Sequence, residues 1–161
     1  MTFMSTLGEK EQRAPRAPKL VLPGEGKHLQ IIAETGFIKL SGAETAGLYA
    51  IMEGWTPPGA GPPMHCHSRE DETFYVLEGE YEFTVGEQNL HGLTGSLVFG
   101  PRHIHHTFNN IAKSPARMLI LAQPAGVEHF FEEMSDMVLV GPANPDKLGA
   151  LASRYGTDFE K

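Results

Sequence analysis

The chain has 161 residues, enough for one domain with a buried core on the usual scale of about 100–200 residues per domain. Its 18 Gly and 12 Pro favour many turns and short strands over long helices, and its single cysteine, Cys66, excludes an intrachain disulfide and a thiolate metal cluster. Thirteen Lys and Arg stand against 20 Asp and Glu, a formal charge of −7 without a basic run, which excludes a protein that tracks nucleic-acid phosphates.

Residues 1–18 mix charge, Ala and Pro without a period and predict a flexible arm. The amino-terminal MTFMSTLGEKEQR has no apolar core of signal-peptide length, and no segment reaches membrane-spanning length. The expectation is a cytoplasmic protein that meets a small molecule rather than a membrane or a nucleic acid.

From residue 19 to 125 the chain breaks into short apolar runs between Gly and Pro, at 47–55, 72–78, 80–85, 96–99 and 116–122, the spacing of a sandwich or barrel. In the 80–85 run Tyr81, Phe83 and Val85 alternate with Glu80, Glu82 and Thr84, which predicts one buried and one wet face. In the preceding run Phe74, Tyr75, Val76 and Leu77 are apolar on both sides, which predicts a strand covered on its outer face as well, by the tail or by a second subunit. Gly79 between the two runs permits a tight hairpin.

After Pro124 the period changes. Val127, Phe130, Phe131 and Met134 make the stripe of an amphipathic helix. A second helix is predicted from Asn144 as cap and Pro145 at its first position, with Leu148, Leu151, Ala152 and Tyr155 on its apolar side and Gly156 at its end. Residues 126–161 thus read as a helical segment packed on the barrel.

Six of the eight histidines fall between positions 65 and 106, beside carboxylates, which raises the prospect of a metal site. His65 and His67 are two apart, so both imidazoles leave one face of an extended strand while Cys66 leaves the other. The polar run Ser68–Asp71 predicts a turn that resets this phase, with Glu70 and Asp71 as solvated carboxylates and Glu72 opening the next strand. His103 and His105 repeat the two-residue spacing and are read as rim histidines, with a role as acid or base over the site mouth as the alternative. His28, His91 and His129 have no partner pattern and are read as surface residues.

The stretch from Gly59 to Gly79 runs Gly, five residues, His65, one residue, His67, four residues, Glu72, six residues, Gly79. It resembles the first motif of the cupin superfamily. Gly95, Pro101, His106 and Asn110 fall at the places of the second cupin motif, with one departure, His103 where that motif has a glycine. The fifteen residues from Glu80 to Thr94 are about the shortest separation that cupins show between the motifs.

The resemblance implies an all-β fold, the double-stranded β-helix or jelly-roll barrel, with the arm in front and the helices behind. Carried over position by position, it implies metal ligation by His65, His67, Glu72 and His106, a set of three nitrogens and one carboxylate oxygen that suits one divalent Fe, Mn, Ni, Cu, Co or Zn ion. The bordering text, Pro57 to Met64, Phe74 to Glu78 and Pro124 to Phe131, is similar to small quercetin-dioxygenase-like cupins. That narrower likeness implies a dioxygenase acting on a small enol, catechol or flavonol-like substrate, with Glu72 as ligand and catalytic base. Two alternatives stand beside it: a metal-dependent isomerase or lyase for a small oxyanion or sugar-like substrate, and a non-catalytic ligand-binding barrel. A homodimer, common in the superfamily, is the expected assembly.

Overall fold

A computed structural model describes residues 16–142 and 144–160. Residues 1–15, which hold most of the expected arm, lie outside the described residues. The described chain forms two antiparallel sheets that face each other. The first is ordered β1 (Lys27–Ile31), β2 (Glu34–Leu40), β3 (Ala50–Thr56), β10 (Ala116–Gln123), β5 (Asp71–Glu78) and β8 (Leu97–Gly100). The second is ordered β11 (Thr157–Phe159), β4 (His65–His67), β9 (His106–Asn110), β6 (Glu80–Val85) and β7 (Gln88–Leu93). The all-β jelly-roll expectation holds.

The alternation in β6 sets its buried face: Tyr81 and Phe83 are buried and Glu82 is exposed. The hairpin expected at Gly79 does not form. Strand β5 pairs with β10 and β8, whereas β6 pairs with β7 and β9, so the chain passes from one sheet to the other at Gly79. The physical reason is that both runs carry inward aromatics, and facing each other across the sandwich buries them better than pairing would. Phe74 and Phe83 meet with ring centroids 5.6 Å apart. Gly79 takes φ 88°, and a Cβ there would stand 2.5 Å from Ala116 Cβ, so only glycine passes at this corner.

Phe74 and Val76 point into this core with Tyr81, Phe83, Val98, Phe108, Ala116 and Met118. The outer face of the same strand is not covered by the described residues: Tyr75 is 42% exposed, and the neighbouring Leu97 and Phe99 on β8 are exposed too.

A second core lies at the other end, where, beyond the one-turn helix α1 (Gly42–Thr45) after β2, helix α2 (Val127–Val140) packs on the first sheet. Val127, Phe130 and Met134 are buried against Leu29, Ile38 and Met52. Helix α3 (Pro145–Arg154) begins where the Asn144 side chain accepts a hydrogen bond from Lys147 N at 3.1 Å. It adds Leu151 and Ala152 to the same core. Beyond it, the turn at Gly156, φ 79°, returns the chain to β11, which pairs with β4 in the register Thr157 with His67 and Phe159 with His65. The segment after Pro124 therefore contributes a strand as well as two helices.

Candidate metal centre

Strand β4 is three residues long, and its alternation is decisive: His65 and His67 are buried and Cys66, between them, turns outward. The chain then leaves the second sheet, and after Ser68–Glu70 it enters β5 in the first, where Glu72 points inward. His106 opens β9 directly opposite His65. One ligand atom from each of His65, His67, Glu72 and His106 lies within 4.8 Å of all the others, and all four side chains are buried. The structure thus brings together every residue expected to ligate.

Backbone carbonyls orient two of the rings. His65 Nδ1 lies 2.8 Å from Pro63 O and His106 Nδ1 lies 3.0 Å from Ile104 O; a carbonyl only accepts, so each Nδ1 carries the proton and donates. That leaves both Nε2 lone pairs for the interior, the usual orientation of a metal-bound imidazole with a partner behind it. Behind His67, Thr157 Oγ1 hydrogen-bonds Nδ1 at 3.1 Å, and Glu70 Oε1 lies 2.9 Å from the same nitrogen as an ion-pair partner out of hydrogen-bond alignment.

Glu72 Oε2 sits 3.0 Å from His106 Nε2 and 3.1 Å from His67 Nε2. His67 Nε2 is buried and, among the described residues, has no hydrogen-bond partner in alignment. An acceptor carboxylate facing lone-pair nitrogens in a water-poor site requires a positive charge between them. Burial pulls the His65 pKa down to about 4, helped by the other two imidazoles against the pull of Glu72, so this ring is neutral at pH 7. Burial acts the same way on His67, but the Glu72 and Glu70 carboxylates outweigh it and push its pKa up to about 10. For Glu72 burial works upward and is overcome by His67 and His106, leaving the carboxyl well below its ordinary value. The cluster therefore holds either a proton between His67 and Glu72 or a cation in its place. Its three nitrogens, one anionic oxygen and orphaned Nε2 are compatible with a divalent metal.

The cluster opens on a cavity of about 250 Å³ whose wall includes His65, His67 and Glu72, with Met52, Phe74, Phe108, Met118, Phe130 and Phe159 around them. Neither His103 nor His105 belongs to this wall, and both are exposed. His103 instead explains the departure in the second motif. It takes φ 65°, the left-handed conformation a glycine adopts freely, and its N–H donates to His67 O at 2.7 Å. Its backbone braces a ligand strand.

Of the two carboxylates expected to be solvated, Glu70 is not, while Asp71 is partly exposed but paired. Glu70 is buried behind His67 because the turn folds inward, and the three-residue spacing from His67 to Glu70 was the available signal. Asp71 accepts from Arg102 Nε at 3.0 Å and Nη2 at 2.8 Å, and this pairing pulls its pKa down to about 2. Thr157 and Phe159 were not anticipated, since nothing in a short polar tail signals that it returns to the site. His28, His91 and His129 are exposed, as expected.

Comparison with known proteins follows the same lines. Residues 56–122 match the family described as Cupin domain. A probable germin-like protein, subfamily 2 member 5, of Arabidopsis thaliana is 37% identical over 86 residues, covering 50% of this chain and 40% of the plant protein. The chain thus spans about two fifths of the length of that relative. Among solved structures, KdgF from Halomonas sp. superposes with a TM-score of 0.63 at 16% identity, covering 70% of this chain and 99% of KdgF. A predicted oxalate decarboxylase from Thermotoga maritima gives a TM-score of 0.55 at 21% identity, covering 56% of this chain and 80% of the other.

Proposed function

Because residues 56–122 match the cupin-domain family, we propose that the chain is a metal-dependent oxygenase of the quercetin-dioxygenase type, acting on a small enol or catechol. The observation that carries the reading is the convergence of four ligand-type atoms at the edge of an apolar cavity. His65, His67, Glu72 and His106 would hold one divalent transition metal, Fe, Mn, Ni, Cu, Co or Zn, with Glu72 also serving as catalytic base. Such an ion, when bound, supplies a Lewis acid that eases ionisation of a chelating hydroxyl and, if redox-active, an electron path to dioxygen.

The chain's own groups do the rest. Glu72 Oε2, placed between two imidazoles, would accept the proton that a chelating hydroxyl gives up. Pro63 O and Ile104 O keep His65 and His106 in the tautomer that presents Nε2. Phe74, Phe108 and Met118 exclude water from a reactive enolate. The cavity volume of about 250 Å³ is just below the usual 300–1,000 Å³ of ligand pockets, which favours a single ring over a three-ring flavonol.

The alternative of an isomerase or lyase for a sugar-like oxyanion is weakened by the cavity wall, which among the described residues carries no Lys or Arg to take a phosphate or carboxylate. Oxygen-electrode assays of metal-reconstituted protein with catechols and enols test the proposal. Substrate-dependent oxygen uptake that disappears in His106→Ala is expected. Turnover without oxygen consumption would transfer the function to the isomerase or lyase, and binding without chemical change would leave a ligand-binding barrel.

A further inference from the structure

Gly54 has no local reason to be a glycine. It lies inside β3, a central strand of the first sheet, in phase with the buried Met52 and Thr56, yet it is itself only half-buried. Its φ is outside the left-handed region, and among the described residues nothing lies within 4 Å of a Cβ built there. Neither the backbone nor the packing therefore requires glycine. Its neighbour across the ladder differs. Gly36 on β2 is level with Gly54, and a Cβ there would stand 2.5 Å from Glu53 O, so the approach of the two strands fixes Gly36. Glycine inside a strand weakens it, and it marks a bulge, a bend or a close approach. At Gly54 the register to β2 and to β10 is unbroken, which leaves the close approach of a ligand.

The place is right for one. Leu29, Gly36, Gly54 and Met118 stand level on β1, β2, β3 and β10, and all four line the cavity on which the histidine cluster opens. Two adjacent strands thus present bare backbone between two apolar side chains, a trough in the cavity wall. The polar groups of this backbone belong to the ladders on either side of β3, so the trough suits an apolar occupant.

The register also sets the length of that occupant. Glu72 is level with Ala122 and, through it, with Ala50. Gly54 is therefore four residues further along the sheet and two strands across, about 14 Å and about 10 Å at about 3.4 Å per residue and about 4.8 Å per strand. A single ring held at the histidine cluster ends short of Gly54, and an unbranched substituent of several carbons reaches toward it.

We infer that Gly54 is a specificity-determining residue, whose missing side chain makes room for an unbranched apolar substituent on the end of the ligand away from its chelating oxygens. The substrate class is then an alkyl-substituted enol or catechol rather than the bare ring. The inference rests on the metal-centre reading of the four-residue cluster for which end of the ligand is anchored.

The test uses two catechols that differ only in reach, 4-methylcatechol and 4-hexylcatechol. They are titrated calorimetrically without oxygen into Zn-loaded and into chelator-stripped protein, wild type, Gly54→Ala and Gly54→Val. The hexyl compound binds wild type at least tenfold tighter than the methyl compound, about 1.4 kcal/mol. Gly54→Val, whose side chain fills the trough, brings this ratio to within threefold of one with Zn content unchanged. Should that variant fail to fold, Gly54→Ala decides, because its Cβ meets nothing within 4 Å among the described residues; it lowers the ratio at least threefold while Tm is no lower than in wild type. A wild-type ratio below tenfold, a ratio that Gly54→Ala lowers by less than threefold, or one that stays above threefold in folded Gly54→Val overturns the inference. Catechol affinity that is indifferent to Zn overturns the reading of the histidine cluster instead, while the ratio measured in stripped protein still decides the role of Gly54.

Discussion

Gly61 is where packing geometry can be converted into a number. A Cβ built there would lie 1.8 Å from Phe108 O and 2.9 Å from Phe108 C, against ordinary contact from 3.4 Å, so in Gly61→Ala the 57–64 segment and β9 must part by about 1.6 Å. Three hydrogen bonds stitch that seam: Gly59 N to Asn110 O at 2.8 Å, Asn110 N to Ala60 O at 2.9 Å, and Thr107 Oγ1 to Pro62 O at 2.6 Å. A displacement of that size breaks them, at about 1 kcal/mol net each, so the loss is about 3 kcal/mol. At about 2–4 °C per kcal/mol for a chain of this size, Tm falls by about 6–12 °C. The metal site weakens with it, because this segment leads into His65, which pairs with His106 on β9. Gly54→Ala is the control: nothing lies within 4 Å of its Cβ, and the gain in strand preference leaves Tm equal or slightly higher. Thermal unfolding followed by circular dichroism, with zinc titration of the same samples, reads both effects. A Gly61→Ala protein melting within 2 °C of wild type, or a Gly54→Ala protein falling as far, would refute the reasoning.

Thr157→Val removes the hydroxyl behind His67 Nδ1 and Glu70→Gln the negative charge there, and each is expected to weaken zinc binding about 10–100-fold by calorimetry while Tm in chelator stays near wild type; unchanged affinity in both would show that the ring needs no such support. Glu34 has a folded pKa raised above its ordinary 4.5 by burial, so its favourable contribution is present below that value and is lost as pH rises through the folded pKa. Glu34→Gln does not ionise, so its Tm relative to wild type rises between pH 4 and 7, and a difference that is flat or falls with pH would contradict the burial. We propose that the exposed Tyr75, Leu97 and Phe99 face receives a second copy of this chain; light scattering should then give twice the chain mass, reduced to the monomer in Phe99→Asp, and a wild-type monomer at micromolar concentration would dismiss it.

The parts of the molecule that were legible in the sequence are those where a local pattern has one physical solution. The alternation of Tyr81 and Phe83 with Glu82 gave the buried face of β6, and the His65, His67, Glu72 and His106 spacing placed four side chains that the structure does bring together. The spacing of Val127, Phe130 and Met134, and Asn144 before Pro145, gave the two helices. What was not legible depends on partners distant along the chain. Strand β7, QNLHGL, has no apolar alternation and forms because β6 offers it an edge. Gly79 allows a hairpin or a crossing between sheets, and only the cross-sandwich contact of Phe74 with Phe83 decides between them. Glu70 reads as a turn residue until His67 is known to lie in front of it, and Thr157 and Glu34 gain their roles from strands more than twenty residues away.

The central claim is that His65, His67, Glu72 and His106 form one metal site, and elemental analysis of untagged protein tests it most directly. Wild type is predicted to retain close to one divalent transition metal per chain after dialysis, from the cell or after reconstitution, and His106→Ala to lose it while remaining folded. Absence of bound metal after reconstitution with each of Fe, Mn, Ni, Cu, Co and Zn, or equal loading of the His106→Ala protein, would contradict the account.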